Sequence, residues 1–162
     1  MNNVTLIGMP SVGKSTVGVV LAKLTGRRFI DTDLLLQEKY GLLLPDIIAA
    51  RGTQGFIAAE TELLAQLSVE NAVIATGGSA VYGDAGMRHL QDISKIVYLT
   101  ADIAVLQKRL GAFSARGVVS LGAQTVAELY AERAPLYEKY AAVTVSESGI
   151  EQTARRIAEL TA

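Results

Sequence analysis

The segment Gly8-Met9-Pro10-Ser11-Val12-Gly13-Lys14-Ser15-Thr16 has the spacing G-x-x-x-x-G-K-S, and that spacing is suited to gripping phosphate. It follows a short apolar run, Val4–Ile7, and precedes a helix-like pattern starting near Lys14. A loop between strand and helix lets backbone N–H groups ring a polyphosphate, and the helix N-terminus adds partial positive charge. Gly8, Ser11, Val12, Gly13 and Thr16 form the cradle, Lys14 reaches the β- and γ-phosphates, and the Ser15 hydroxyl binds Mg²⁺. The chain is therefore expected to bind a nucleoside triphosphate.

Three further groups could act on that phosphate. Asp31-Thr32-Asp33 places two carboxylates two residues apart at a strand end, where side chains can point the same way. One could hold Mg²⁺ through water while the other orients an acceptor hydroxyl; Asp33 could instead be a helix N-cap. Thr76-Gly77-Gly78-Ser79 follows another apolar run and would expose backbone N–H groups to a closely approaching ligand, or form an ordinary tight turn. Arg109, Arg116 and Arg133 are the cations to weigh. Arg116 could clamp the transferring phosphoryl group and Arg109 could meet a base or phosphate, although each arginine alone also reads as a solvated surface charge.

These residues need elements to position them. Apolar runs at Val4–Ile7, Arg28–Asp31, Ala72–Ala75, Ile96–Leu99 and Ala142–Val145 alternate with helix-like segments. Those segments are Lys14–Thr25, Thr32–Tyr40, Pro45–Arg51, Gln54–Ser68, Ala80–Leu90, Asp102–Leu110, Thr125–Tyr140 and Ile150–Leu160. The strands read as continuous rather than alternating apolar runs, as in a parallel sheet covered on both faces. Ligands of such sheets bind beyond the carboxyl ends of the strands, where all three groups fall. A length of 162 residues without linker or repeat fits one domain over 1–162. Residues 32–70 form a helical insertion, and residues 111–123, with glycines at both ends around Arg116, form a candidate mobile lid.

Composition removes other chemistries. No cysteine is present, which excludes disulfides, thiolate catalysis and Cys-ligated metals, and the single His89 cannot anchor zinc by itself. Net charge is −1, with no basic stretch to track nucleic acid. No segment has the roughly 20 apolar residues of a membrane span. The expectation is a cytoplasmic protein acting on a small molecule, without nucleic acid or membrane, and a monomer.

The combined pattern resembles the shikimate kinase family, small P-loop kinases that phosphorylate the 3-hydroxyl of shikimate with ATP and Mg²⁺. The resemblance runs over nearly the whole chain. It rests on the P-loop, Asp31-Thr32-Asp33, Gly52 and Phe56, Gly77-Gly78, Arg109, Arg116 and Arg133-Ala134-Pro135-Leu136-Tyr137. It implies a three-layer α/β P-loop kinase fold with a five-stranded parallel sheet in the order 2-3-1-4-5. It also implies that Lys14, Asp33 and Arg116 are catalytic and that Ser15 and Asp31 serve the metal. Arg109 would lie near adenine, and Arg133 would bind the substrate carboxylate, with Gly77, Gly78 and Ser79 against the substrate.

The acceptor half departs from the family pattern. An acidic position has become Thr53, a carboxylate-binding arginine has become Ile57, and a third glycine has become Ser79. The lid reads Arg116-Gly117-Val118-Val119 where the family has Arg-Pro-Leu-Leu. Three explanations fit Ile57. Arg51 could supply the missing cation, Arg133 could suffice alone, or the acceptor could present an uncharged group there. Besides shikimate phosphorylation, the sequence leaves open another small hydroxylated acceptor and a non-catalytic nucleotide-binding regulator.

Overall fold

The computed structural model describes residues 2–111 and 118–162. Arg116, and with it much of the expected lid, lies outside the described residues.

Five strands form one parallel sheet: β1 (Asn3–Ile7), β2 (Arg28–Asp31), β3 (Ala72–Ala75), β4 (Ser94–Thr100) and β5 (Val143–Ser146). Their order is β2-β3-β1-β4-β5, as the resemblance implied. Central β1 and β3 are buried along their whole length: β3 is an unbroken apolar run, and the two polar residues of β1, Asn3 and Thr5, are buried with hydrogen-bond partners. The register sets Leu6 beside Ala75 on one side and Val97 on the other. Asn3 pins the opposite end of the sheet: its side chain donates to the Val69 and Ile93 carbonyls and accepts from the Ala72 amide.

The helices are α1 (Lys14–Thr25), α2 (Thr32–Tyr40), α3 (Leu44–Ala65), α4 (Asp84–Ile93), α5 (Ile103–Leu110), α6 (Val126–Tyr140) and α7 (Ile150–Leu160). Helix α1 packs with α7, α3 with α4, and α5 with α6. Two expected helices, Pro45–Arg51 and Gln54–Ser68, are the two arms of α3. They meet at a kink where Gly52 takes φ 70° and ψ 174°, a conformation that a residue with a Cβ seldom adopts. The expected helix Ala80–Leu90 is corrected. A 3₁₀ turn covers Gly78–Tyr82, and α4 starts only after Gly83.

Two apolar clusters result. The larger surrounds the sheet, while the smaller lies in the 32–70 insertion and holds Leu36, Ile47 and Phe56. Val119, from the chain after the undescribed residues, completes the smaller cluster. No helix among the described residues is long and apolar enough to cross a membrane.

Candidate active site

The order β2-β3-β1 brings the carboxyl ends of three strands side by side, so the P-loop, Asp31–Asp33 and Thr76–Ser79 become neighbours. Thr76 laces two of them together: its amide and its hydroxyl both donate to the Leu6 carbonyl, at 3.2 and 2.9 Å. Beyond these ends lies a cleft of about 520 Å³. Its walls include Lys14 and Ser15 at one end and Asp33, Gly77, Gly78 and Arg133 at the other.

The phosphate end is built largely by backbone. Ser11 turns the loop with φ 65°, a left-handed conformation rare for a residue with a side chain and common at functional sites. Lys14 is buried and donates through Nζ to the Gly8 and Met9 carbonyls at 2.6 and 2.8 Å. Burial lowers its ammonium to about 7, against the opposing pull of Asp33. A buried cation of this kind is poised for an anion that restores its charge. Ser15 is exposed and donates to Asp31 Oδ2 at 3.1 Å. Arg109 Nη1 reaches the Ser11 carbonyl at 3.5 Å, and its other arm lies 3.7 Å from Glu147, which sets it at the rim of the phosphate loop.

Asp31 and Asp33 have divided roles. The N-cap of α2 is Asp31, not Asp33: Asp31 Oδ1 accepts the Asp33 and Leu34 amides at 2.9 and 3.4 Å. The two carboxylates do not leave one extended strand together, because Asp33 already stands in the first helical turn. That turn aims Asp33 at the glycine pair. A Cβ on Gly77 would lie 2.5 Å from Asp33 Oδ1 and 3.0 Å from Glu60 Oε2. One on Gly78 would lie 2.5 Å from Arg133 Nη1. Glycine at both positions is thus what lets three charged side chains close on this backbone. Burial, reinforced by the Asp31 charge, raises the Asp33 carboxyl to about 6.

Behind the glycines lies a carboxyl that the motifs did not single out. Glu60 is 1% exposed; Oε1 accepts the Ser79 hydroxyl at 2.7 Å, while Oε2 has no hydrogen-bond partner. Burial raises it to about 7. Ser79 thereby supplies the one hydrogen bond that the Glu60 carboxyl makes among the described residues. A signal was present, since Phe56, Glu60 and Leu64 are spaced four apart and all buried on one stripe of α3. A lone acid on an apolar stripe marks an inward-facing charge.

Arg133 is also 1% exposed. Nε donates to the Tyr82 hydroxyl at 3.1 Å and Nη2 to the Val119 carbonyl, while Nη1 is buried without a partner. Tyr137 donates to the Gly78 carbonyl at 2.8 Å and so holds the glycine turn against α6. Ile57 is not among the cleft walls; it packs on the small apolar cluster of the insertion. Arg51 stacks on Tyr40, its guanidinium 4.2 Å from the ring centre, and is likewise absent from the walls. His89 bonds the Leu67 carbonyl at 2.7 Å, outside the cleft.

The model of the family described as "Shikimate kinase" matches residues 10–161. This chain belongs to the shikimate kinase family. It is 35% identical over 150 residues to the shikimate kinase of Nitrosospira multiformis, a match covering 91% of this chain and 76% of that protein. To shikimate kinase 2 of Salmonella dublin it is 38% identical over 112 residues, 69% of this chain and 62% of that protein, just under two thirds of the relative's length. Its fold superposes with a TM-score of 0.89 and 31% identity on the shikimate kinase of Acinetobacter baumannii solved in complex with shikimate. That alignment covers 99% of this chain and 92% of the Acinetobacter chain. A gluconokinase from Sinorhizobium meliloti, 18% identical with a TM-score of 0.58, shares the fold. Of the two positions Ile57 and Ser79, only Ser79 lines this cleft.

Proposed function

We propose that this chain transfers the γ-phosphoryl group of ATP to the 3-hydroxyl of shikimate. One observation carries the reading. A single cleft joins a phosphate loop to a buried carboxyl, Asp33, and to an unpartnered guanidinium nitrogen of Arg133. A hydroxylated carboxylic acid lying between them meets an acceptor for its hydroxyl proton and a donor for its carboxylate.

In this reading Lys14 leaves the Gly8 and Met9 carbonyls for the phosphate oxygens, whose charge keeps it protonated. Asp33, near its titration point, accepts the proton of the attacking hydroxyl. The hydroxyl oxygen bonds to the γ-phosphorus as the bond to the bridging oxygen breaks, and ADP leaves with that electron pair. Arg133 fixes the acceptor's other end. Arg116 acts as a cationic clamp on the transferring group, and Arg109 lies toward the adenine.

The residues fit Mg²⁺. Ser15 Oγ and Asp31 are hard oxygen donors 3.1 Å apart, and one is exposed at the phosphate end of the cleft. Bound there with the nucleotide, Mg²⁺ would neutralise charge on the β- and γ-phosphates. A cytoplasmic monomer working on a small metabolite is the setting this reading carries.

A second reading rests on Ile57. With an apolar side chain there and Arg51 stacked on Tyr40, the acceptor meets one buried guanidinium rather than two, which suits a less demanding acid or an uncharged polyol. Following ADP release with shikimate, quinate, gluconate and homoserine decides between them. Turnover that depends on shikimate supports the first reading. Turnover with another acceptor and none with shikimate supports the second, and nucleotide binding without turnover on any of them points to a regulator.

A further inference from the structure

The fold has already committed most of Arg133. A guanidinium presents five N–H donors in a rigid fork. Here Nε is given to Tyr82 and Nη2 to the Val119 carbonyl. Among the described residues Nη1 has no hydrogen-bond partner, at the close approach to Gly78. The preceding residue closes a ring around this arrangement. Glu132 Oε2 accepts the Tyr82 hydroxyl, and both Glu132 oxygens accept the Leu121 amide, at 3.2 and 3.1 Å. Adjacent residues of α6 therefore grip one short strap: Arg133 takes the carbonyl of Val119, and Glu132 takes the amide two residues on. The Val119 side chain is buried with Leu36, Ile47 and Phe56, so the strap is pinned between α6 and the insertion. Val118 and Val119 both line the cleft.

We infer that Glu132 is a positioning residue for acceptor recognition: by holding the Leu121 amide it keeps the Val119 carbonyl on Arg133, so that the guanidinium turns its Nη1 corner alone to the acceptor. This rests on the reading of Arg133 as the group that binds the acceptor's carboxylate. Glu132 is not among the cleft walls; it acts through the strap and through Tyr82. A carboxylate binds best to two parallel N–H groups of an arginine. With one corner free, the acceptor's anion is held at a single point, and the angle of that point is set by where the strap sits. If the Leu121 amide is released, the Val119 carbonyl is free to drift and the guanidinium loses its fixed orientation. The nucleotide end of the cleft uses none of these contacts.

The test pairs amide hydrogen exchange with steady-state kinetics in Glu132→Ala, Glu132→Gln and Tyr82→Phe. Glu132→Ala should speed exchange at the Leu121 amide about tenfold or more, the loss of one charge-assisted hydrogen bond. It should raise the KM for shikimate by a similar factor while the KM for ATP stays within about twofold. Glu132→Gln keeps an oxygen for the amide and should restore most of both losses. Tyr82→Phe breaks the ring between the two side chains and should raise the shikimate KM by a smaller factor. Leu121 exchange unchanged in Glu132→Ala overturns the inference. So does a rise in both KM values alike, which would mark general loosening. A wild-type protein inert toward shikimate would overturn the functional reading instead, and the exchange at Leu121 with its rescue by glutamine would still decide the clamp.

Discussion

The two ends of the cleft are built by different means. At the phosphate end the ligand-facing groups come from one continuous loop and the first turn of α1. Lys14 has two backbone partners and Ser15 has Asp31. At the acceptor end, Asp33, Gly77, Gly78, Ser79, Val119 and Arg133 arrive from separate elements, and two buried polar atoms, Glu60 Oε2 and Arg133 Nη1, lack partners. A loop with its own hydrogen bonds is specified by local sequence and tolerates little change. An assembly of side chains from several elements can be re-cut one residue at a time. Unpartnered buried polar atoms are costly, and of the three among the described residues, Thr32 Oγ1, Glu60 Oε2 and Arg133 Nη1, the last two stand at the acceptor end.

The largest effect should come from the residue at the boundary of the two ends. Asp33→Asn keeps the shape and removes the proton acceptor, so turnover should fall about 10²- to 10⁴-fold with little loss of stability. Because burial lifts Asp33 to about 6, its carboxylate is lost as the pH drops through that value. In the wild type, kcat/KM for the acceptor should fall about tenfold per pH unit below it. An acid limb that survives unchanged in the residual activity of Asp33→Asn would belong to another group.

A smaller effect sharpens the contrast between the ends. Ile57→Arg adds a cation on the insertion side and should lower the KM for shikimate about tenfold, the size of one charge-assisted contact, leaving the KM for ATP alone. An unchanged shikimate KM would mean that Arg133 alone already satisfies the carboxylate. Arg51 stacks on Tyr40 and is not among the cleft walls, so Arg51→Ala should leave the shikimate KM within about twofold.

The smallest effect is on stability. Glu60 is raised from 4.5 to about 7 by burial. The folded protein therefore holds this proton more tightly than the unfolded chain. The cost of ionising it is absent below pH 4.5, grows as the pH rises toward 7, and is complete above that. Glu60→Gln should accordingly gain stability relative to wild type through this window, by roughly 1–3 kcal/mol at its upper end. Urea midpoints at pH 5 and pH 8 give the comparison; a gain that is larger at pH 5 would contradict the buried, unpaired carboxyl.

The same contrast explains what could be read from the sequence. The P-loop, helix Lys14–Thr25 and strands Arg28–Asp31 and Ala72–Ala75 carry local signals and match the structure at their ends. The family resemblance carried the strand order, which local patterns do not contain. The expected helix over Ala80–Leu90 failed because the run of helix-compatible residues hid a 3₁₀ turn that Gly83 separates from α4. Asp31 and Asp33 were legible as a pair, yet which of them caps the helix depends on where the strand stops. Glu132 and Tyr82 left no motif at all, since their partners are Leu121 and Arg133, brought together only by the packing of α6. Their only trace was the neighbouring Arg133.

Binding measured separately at the two ends tests the account most directly. Calorimetric titration of a non-hydrolysable ATP analogue and of shikimate into wild type, Lys14→Ala and Arg133→Met should give opposite losses. Lys14→Ala should weaken the nucleotide at least about tenfold and leave shikimate unchanged. Arg133→Met, which keeps the apolar stem, should weaken shikimate by a similar factor and leave the nucleotide unchanged. If either substitution weakens both ligands equally, or if shikimate binds Arg133→Met as tightly as wild type, the division of the cleft into a phosphate end and an Arg133-centred acceptor end is contradicted.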